Sequence, residues 1–287
     1  MSSIQDSAEG DAVTAFLLAE QRTGDILVSA IDSILLPIRN AMESGDLAHS
    51  NGNLHTTAYA STPRTIAAHV ATLMKGELPA EWENLWQGPP DPLEFIQAAT
   101  SRVRALKRLL VSHTQEYPLI GTSNATALHH RQVPVSICSF FSPGAFVSTL
   151  RQAAARAVAV SVDTLTLVTS WKPENLPSAA HQAIARGGVQ VSGIVLEGAT
   201  FDGVALSAAP AGSPPRASVP PVTLVWVLPD VAKEAAESTL DGVNVLPVPL
   251  YLRSDRRSPV VQLAMPVRNR TTKQDFVIAG AAAFVSR

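Results

Sequence analysis

Two hydrophobic periods divide the chain. From Ala12 to about Ala41, apolar residues recur at steps of three and four, which places them on one stripe of a helix. After residue 160 the helical period gives way to alternating or short continuous apolar runs, which are typical of strands. The order of the two patterns predicts helices first and strands second.

Two residues interrupt the first helical stripe, Gly24 and Pro37. Because proline has no N–H to donate, we expect a kink or a break at Pro37. The polar run at 44–62 has no hydrophobic period and predicts a loop or a mobile insertion.

A proline that follows a capping residue marks the start of three further helices. The three dipeptides are Thr62-Pro63, Asp91-Pro92 and Ser142-Pro143. Proline suits the first helical position, and the residue before it accepts a hydrogen bond from an otherwise unpaired backbone N–H. We expect the Ser142 side chain to make this bond, and Phe141 and Phe146 to form a hydrophobic staple.

The helical half also contains aromatic and basic side chains that require interpretation. We interpret Trp82 and Trp86, four residues apart in a connection, as core anchors rather than a ligand cage. One helix face is basic, and its residues are Arg102, Arg104, Lys107 and Arg108. An acidic partner could bind this face, but a solvated surface is the simpler interpretation.

Six strands are predicted in the second half. They are Thr164–Ser170, Val189–Leu196, Val222–Leu228, Val245–Leu252, Val260–Pro266 and Phe276–Val285. Pro173–Gly188 reads as an irregular crossover, and Val204–Leu206 as a short extended segment after an Asp-Gly turn. Five prolines should keep Ala208–Pro221 out of any β ladder.

These elements predict an α+β fold, with an N-terminal helical bundle followed by an antiparallel six-stranded β-barrel-like subdomain. Strands this short, with turns between them, also suit a sandwich. We expect residues 1–11 to be disordered, 12–160 to form the helical part and 161–287 to form the barrel.

Composition narrows the class of protein. With 46% hydrophobic and 16% charged residues, the sequence is typical of a globular protein. Residues 1–100 hold 4 Lys/Arg and 13 Asp/Glu, while residues 101–287 hold 18 and 11, so the net charge of −2 hides an acidic and a basic part. We expect no nucleic-acid and no membrane partner, because the net charge is small and apolar segments are short.

The sequence has one cysteine, Cys138, which excludes an intrachain disulfide and a cysteine zinc cage. No basic segment opens the chain, so no secretory signal is expected and an intracellular, reducing compartment fits.

The sequence contains little that indicates catalysis. Phosphate-loop, nucleophile-elbow, H-E-x-x-H and C-x-x-C motifs are all missing. The His129-His130 pair cannot share one helix face and has no acidic neighbour at ligand spacing, so we expect no metal there. Glu197 and Asp202 could form a pair of catalytic acids, but their spacing across a turn favours structural roles. We therefore predict no catalytic, cofactor-binding or metal-binding residue.

Six segments carry a family resemblance through their order. The two most informative are Ser139–Arg156 (SFFSPGAFVSTLRQAAAR) and Val189–Gly203 (VQVSGIVLEGATFDG). The others are Trp82–Phe95, Ser161–Trp171, Pro247–Arg256 and Phe276–Phe284. Together they resemble the C-terminal domain of dynein heavy chains, most closely the cytoplasmic class that drives retrograde intraflagellar transport. The sequence departs from that family in having Phe276 where tryptophan is usual, and in its insertions at 44–62, 114–137 and 208–221.

The resemblance implies a regulatory and structural domain rather than an enzyme. Such a domain packs on the AAA+ ring of its own heavy chain, joins the dynein complex and can tune the processivity of a minus-end-directed microtubule motor. The implied location is the cytoplasm, the cytoskeleton and the cilium or flagellum. Met1 would then begin a fragment, a truncated gene product or an engineered segment.

Two other functions stay open from the sequence. One is a free-standing scaffold or adaptor with the same fold, and the other is a small hydrolase that uses Glu197 and Asp202.

Overall fold

The structure is a computed structural model that describes residues 12–44, 63–115, 134–209, 216–239, 244–252, 256–267 and 273–286. The protein divides into two compact units. The helical unit comprises residues 19–107, and the sheet unit comprises residues 1–18 and 108–286. The predicted disordered N-terminus, the His129-His130 pair and all of the run at 44–62 except Ser44 lie outside the described residues.

The first four helices are α1 (Ala12–Glu43), α2 (Pro63–Met74), α3 (Ala80–Glu83) and α4 (Pro92–Gln115). Proline opens α2 and α4 as predicted. Of the predicted kink or break at Pro37, the kink stays a prediction and the break is wrong, because helix α1 continues through Gly24 and Pro37. The buried stripe that includes Leu27, Ile31 and Ile34 explains this, because tertiary packing of an apolar face outweighs local helix propensity.

Helix α4 begins directly after Asp91, which caps it as predicted. The Asp91 carboxylate accepts the backbone N–H of Glu94 at 2.9 Å. The Asp91 carbonyl accepts the N–H of Phe95 at 2.8 Å, which closes the first turn of the helix. The cap therefore fixes the position of Phe95, a fully buried side chain.

Trp82 is fully buried, so the interpretation as a core anchor is confirmed. Its ring stacks on Phe95 at 5.9 Å between centroids, and its indole N–H donates to the carbonyl of Ala30 at 3.2 Å. Trp86 is only half-buried. The guanidinium of Arg102 lies 4.6 Å from the centre of the Trp86 ring, so this part of the predicted basic face contacts an aromatic side chain.

An ion pair links α2 to α3. The His69 ring nitrogen lies 3.3 Å from the Glu81 carboxylate. A hydrogen bond from the backbone N–H of Glu81 lowers the pKa of that carboxyl, and the His69 side chain lowers it further. A carboxyl whose folded-state pKa is depressed stabilises the fold above its unfolded-state pKa, about 4.3, and loses that contribution as the pH falls through the folded value.

We expect Glu81→Gln to be less stable than the native protein by less than about 1 kcal/mol above pH 5, because the Glu81 side chain is 58% exposed. The difference should shrink once the pH falls below the unfolded-state pKa, about 4.3, and disappear below the lowered folded-state pKa. Urea titrations of both proteins across this pH range measure it. A difference that stays constant with pH would contradict the assignment.

The described part of the sheet unit contains eleven strands. They are β1 (Val135–Ser136), β2 (Thr166–Ser170), β3 (Val189–Ser192), β4 (Ile194–Glu197), β5 (Ala199–Phe201), β6 (Leu206–Ala208), β7 (Arg216–Ser218), β8 (Val222–Val227), β9 (Asn244–Tyr251), β10 (Pro259–Val267) and β11 (Ala282–Val285). Its further helices are α5 (Pro143–Ala157), α6 (Ser178–Gly187), α7 (Pro229–Thr239) and α8 (Lys273–Ile278).

The strands form two sheets. The four-stranded sheet has the order β1-β3-β8-β2, and only β1 and β3 run parallel. The seven-stranded sheet has the order β5-β6-β10-β9-β11-β4-β7, with β6–β10 and β9–β11 parallel. Its end strands β5 and β7 lie close together, so the sheet is nearly closed. An α+β fold with a barrel-like sheet is confirmed, but the prediction of six antiparallel strands is wrong.

One glycine accounts for the largest error in the strand prediction. The apolar run Val189–Leu196 reads as one strand, but it divides at Gly193 into β3 and β4, which belong to different sheets. Gly193 has a φ of +80°, a region that residues with a Cβ rarely adopt. A Cβ there would also lie 3.0 Å from the Cys138 sulfur. The hydrophobic pattern alone does not show this change of sheet.

Three other segments also differ from the prediction. The crossover Pro173–Gly188 contains α6, and Phe276–Val285 is α8 followed by β11 rather than one strand. The loop Ala208–Pro221 contains β7, whose residues 216–218 pair with β4. Prolines flank β7 but do not interrupt it, so each of its residues keeps its N–H.

Helix α5 begins as predicted at Ser142, whose carbonyl accepts the N–H groups of Ala145 and Phe146. The Ser142 side chain, however, makes no capping hydrogen bond, so that prediction is wrong. Its ψ of 69° departs from the extended backbone that usually aims a capping oxygen at the helix. An aromatic cluster supports this end of the helix, because Phe146 packs against Phe140 at 4.4 Å and Phe16 at 5.6 Å.

Candidate functional site

The two carboxylates considered as catalytic acids make separate structural contacts. Asp202 accepts the backbone N–H groups of Val204 at 2.9 Å and Ala205 at 2.8 Å, which closes an Asx turn. Glu197 instead pairs with two arginines, at 2.8 Å for Arg256 and 3.5 Å for Arg216. These contacts agree with the structural roles that the sequence favours for both residues.

Glu197, Arg216, Arg256 and Phe284 form what we call the Glu197 cluster. The two guanidinium carbons lie over the buried Phe284 ring, at 4.9 Å for Arg216 and 5.6 Å for Arg256. Two cations therefore share one carboxylate and one aromatic face. The three charged side chains are each about one-third exposed, at 35–37%. The cluster joins β4, β7 and β11 to Arg256, which lies between β9 and β10.

Four of the six segments that carry the family resemblance contribute to this cluster or to a second contact within the sheet unit. Glu197, Arg256 and Phe284 come from three of those segments. A fourth segment contributes Trp171, whose ring lies 4.6 Å from that of Phe201 and whose N–H donates to the Pro220 carbonyl. Residues in the segments that resemble the family thus make contacts that stabilise the sheet unit.

Double-mutant cycles can measure the coupling energies between Glu197 and the two arginines of the cluster. We expect a coupling energy of about 1 kcal/mol between Glu197 and Arg256, whose 2.8 Å hydrogen bond is charge-assisted but partly exposed. The coupling between Glu197 and Arg216 should be smaller, because their atoms are 3.5 Å apart. Unfolding of the alanine single and double variants in urea gives both values, and equal couplings would contradict the geometry.

A cleft of about 520 Å³ lies within the sheet unit, and we call it the inter-sheet cleft. Its lining comes from α5, the entry to β2, β2, β8 and the β9–β10 hairpin. The lining residues are Val147, Ser148, Arg151, Leu165, Leu167, Trp226, Val245, Pro247, Val260, Val261, Gln262 and Ala264. Beside the cleft, the backbone N–H of Ala264 donates to the hydroxyl of Thr169 at 2.9 Å, which ties the two sheets together.

Among the described residues that line the cleft, Arg151 alone is charged. Its guanidinium lies 3.8 Å from a carboxylate oxygen of Asp163, whose side chain is 94% exposed. The lining hydroxyl of Ser148 donates to the Gly144 carbonyl of its own helix. Nine of the twelve lining residues are apolar and the polar ones are Ser148, Arg151 and Gln262, so the cleft is a mainly apolar surface with one cation.

The sequence did not predict the roles of Arg216 in the Glu197 cluster and Arg151 in the inter-sheet cleft. Arg216 lies in a segment predicted as a loop, and nothing in the sequence pairs it with Glu197. Arg151 follows the buried Leu150 directly and precedes the buried Ala154 by three residues, so the helical pattern puts it at the border of the apolar stripe. That position was the available signal, but many surface arginines share it.

Within the described ranges, no three His, Cys, Asp or Glu side chains group closely enough to hold a metal ion. No helix in those ranges combines the length and apolar character needed to cross a bilayer.

Comparison with known proteins adds an independent line of information. The sequence model for the C-terminal domain of dynein heavy chains matches residues 3–285. The protein is 28% identical over 280 residues to cytoplasmic dynein 2 heavy chain 1 of Chlamydomonas reinhardtii, and 26% identical over 277 residues to that of Homo sapiens. Each match covers 96% of this sequence and 6% of the relative, so the protein spans only a small part of the length of these relatives.

Proposed function

This protein belongs to the family of C-terminal domains of dynein heavy chains, and on that premise we propose that it is the C-terminal domain of a cytoplasmic dynein 2 heavy chain. The observation that carries the proposal is the family match over residues 3–285, together with relatives of that one class. The parent motor moves toward microtubule minus ends in retrograde intraflagellar transport. Its place is the cytoplasm, the cytoskeleton and the cilium or flagellum.

We propose further that the domain packs on the AAA+ ring of its own heavy chain and regulates the motor without catalysing a reaction. A covalently attached domain needs little intrinsic affinity for its neighbours, because its effective concentration is in the millimolar range. The apolar inter-sheet cleft and the Glu197 cluster support this proposal, since both provide contacts rather than a reactive group.

Association in trans tests this proposal. The test mixes the purified domain with a Chlamydomonas heavy-chain motor that lacks the matching region, and follows co-sedimentation. We expect a complex that an intact heavy chain does not form, because its own domain occupies the site. If the truncated motor captures no more of the domain than the intact motor does, the proposal of ring packing fails and a free-standing scaffold is favoured.

Turnover measurements test the proposal that the domain is not catalytic. We expect the purified protein to hydrolyse neither ATP nor general ester and glycoside substrates. The variants Glu197→Gln and Asp202→Asn provide the control, since a hydrolase built on these acids would lose its activity in both. Turnover that either substitution abolishes would overturn the proposal.

A further inference from the structure

We propose that the inter-sheet cleft binds a short apolar segment that carries a carboxylate, supplied by the part of the heavy chain outside this domain. This inference rests on the proposed function and deepens it by naming the surface and the chemistry of its partner.

The walls of the cleft determine the apolar part of the ligand. Leu167 of β2 and Trp226 of β8 are cross-strand neighbours, so they face the cleft from the same side of the four-stranded sheet. Pro247 and Ala264 are likewise paired across β9 and β10 on the other wall. Both Pro247 and Ala264 are exposed. Covering them with aliphatic or aromatic side chains removes apolar surface from water, which favours binding.

Arg151 determines the charged part of the ligand. Its distance of 3.8 Å from Asp163 exceeds that of a hydrogen bond, and Asp163 itself is almost fully exposed. The guanidinium therefore keeps its donors for a second carboxylate, which it can bind through two parallel N–H···O bonds. With Val147 one turn before it on α5, the cation stands next to apolar surface, so the ligand needs both characters close together.

The source follows from the length of the relatives. The matched region is 6% of a heavy chain, so nearly all of the polypeptide that such a domain meets lies outside it. A cleft of this size with one ion pair gives only modest affinity on its own. Modest affinity is enough for a covalently attached segment, whereas a separate protein at cellular concentration would need a larger interface.

Overlapping peptides that tile the Chlamydomonas heavy chain outside the matched region provide the probe. The domain is applied to the peptide array, and bound peptides are then titrated in solution up to millimolar concentration. We expect the bound peptides to combine apolar residues with an Asp or Glu. A peptide in which Lys replaces that acid should not bind the native domain. The same peptide should bind the Arg151→Glu variant, because the two charges are exchanged.

Two variants with matched controls locate the binding. Arg151→Glu reverses the cation, and Ala264→Trp fills the cleft; each should weaken binding at least about tenfold. Arg156→Glu makes the same charge change at an exposed position on α5, and Ala208→Trp places the same ring at the exposed end of β6. Both controls should bind within about twofold of the native domain. Circular dichroism and thermal unfolding check that all four variants fold.

Three results would overturn the inference. In the first, no peptide binds. In the second, peptides bind, but Arg151→Glu and Ala264→Trp leave the affinity unchanged. In the third, a second copy of the domain occupies the cleft, which is seen as a dimer that dissociates in both variants. Co-sedimentation of the same variants with the truncated motor separates this failure from that of the proposed function. If the motor binds all variants equally, ring packing stands and the assignment of the cleft falls.

Discussion

Gly198→Ala is expected to lower the free energy of unfolding by about 2–5 kcal/mol, a large effect for one added methyl group. Gly198 has a φ of +73°, a conformation that costs other residues about 1–2 kcal/mol. A Cβ at this position would also collide with the backbone carbonyl oxygen of Ala279, which lacks the rotational freedom of a side-chain atom. Overpacking of this kind costs about 1–3 kcal/mol more.

Gly203→Ala provides the matched control for this prediction. Gly203 also has a positive φ, +90°, but its nearest neighbour to an added Cβ is the Pro220 side chain at an ordinary 3.6 Å. Gly203→Ala should therefore show only the conformational cost of about 1–2 kcal/mol. Urea denaturation of the native protein and both variants measures the difference. Equal losses in the two variants would show that the close approach to Ala279 contributes nothing.

Trp82→Ala is expected to destabilise the helical unit by about 3–5 kcal/mol, as truncation of a large buried aromatic side chain usually does. The loss combines the stacking on Phe95 with the hydrogen bond to the Ala30 carbonyl. Trp82→Phe separates the two, because it keeps a ring but removes the N–H donor. The phenylalanine variant should lose about 1–3 kcal/mol, the cost of the lost hydrogen bond plus the smaller ring, while the Ala30 carbonyl keeps the Ser33 hydroxyl as a donor at 2.8 Å.

The same urea titrations, followed by circular dichroism, measure the tryptophan series. Trp86→Phe is the comparison, because Trp86 is half-buried and contacts Phe95 and Arg102 at its surface. It should cost less than Trp82→Phe. The assignment of Trp82 as the anchor would be contradicted if the two phenylalanine variants were equally stable.

The helices were predictable because their signals are local. The start of α4 at Asp91-Pro92 depends on a cap and a proline within one turn, and the structure contains that cap. The continuity of α1 through Pro37 was not predictable, because it depends on burial of a long apolar face by residues distant in sequence. The absence of a capping bond from the Ser142 hydroxyl likewise depends on one backbone angle that the sequence does not specify.

The sheets were less predictable because strand pairing is not local. Hydrophobic alternation and short apolar runs located most of β2, β8, β9 and β10, but they do not indicate which strand lies beside which. The parallel pairing of β9 with β11, and the change of sheet at Gly193, both depend on the positions of distant strands. For the same reason the sequence did not show that Arg216 and Arg256 converge on Glu197, although it favoured a structural role for that carboxylate.

Motility of a chimeric motor tests the central claim most directly. In the chimera, this domain replaces the matching region of the Chlamydomonas cytoplasmic dynein 2 heavy chain, and single-molecule run length and velocity on microtubules are measured with ATP. The parent and a heavy chain that lacks the region are the references. We predict that the chimera moves in the same direction as the parent, with run length and velocity restored toward the parent's values. Resistance to limited proteolysis shows whether the replaced region is folded. A chimera that passes this check but moves like the truncated heavy chain would contradict the account.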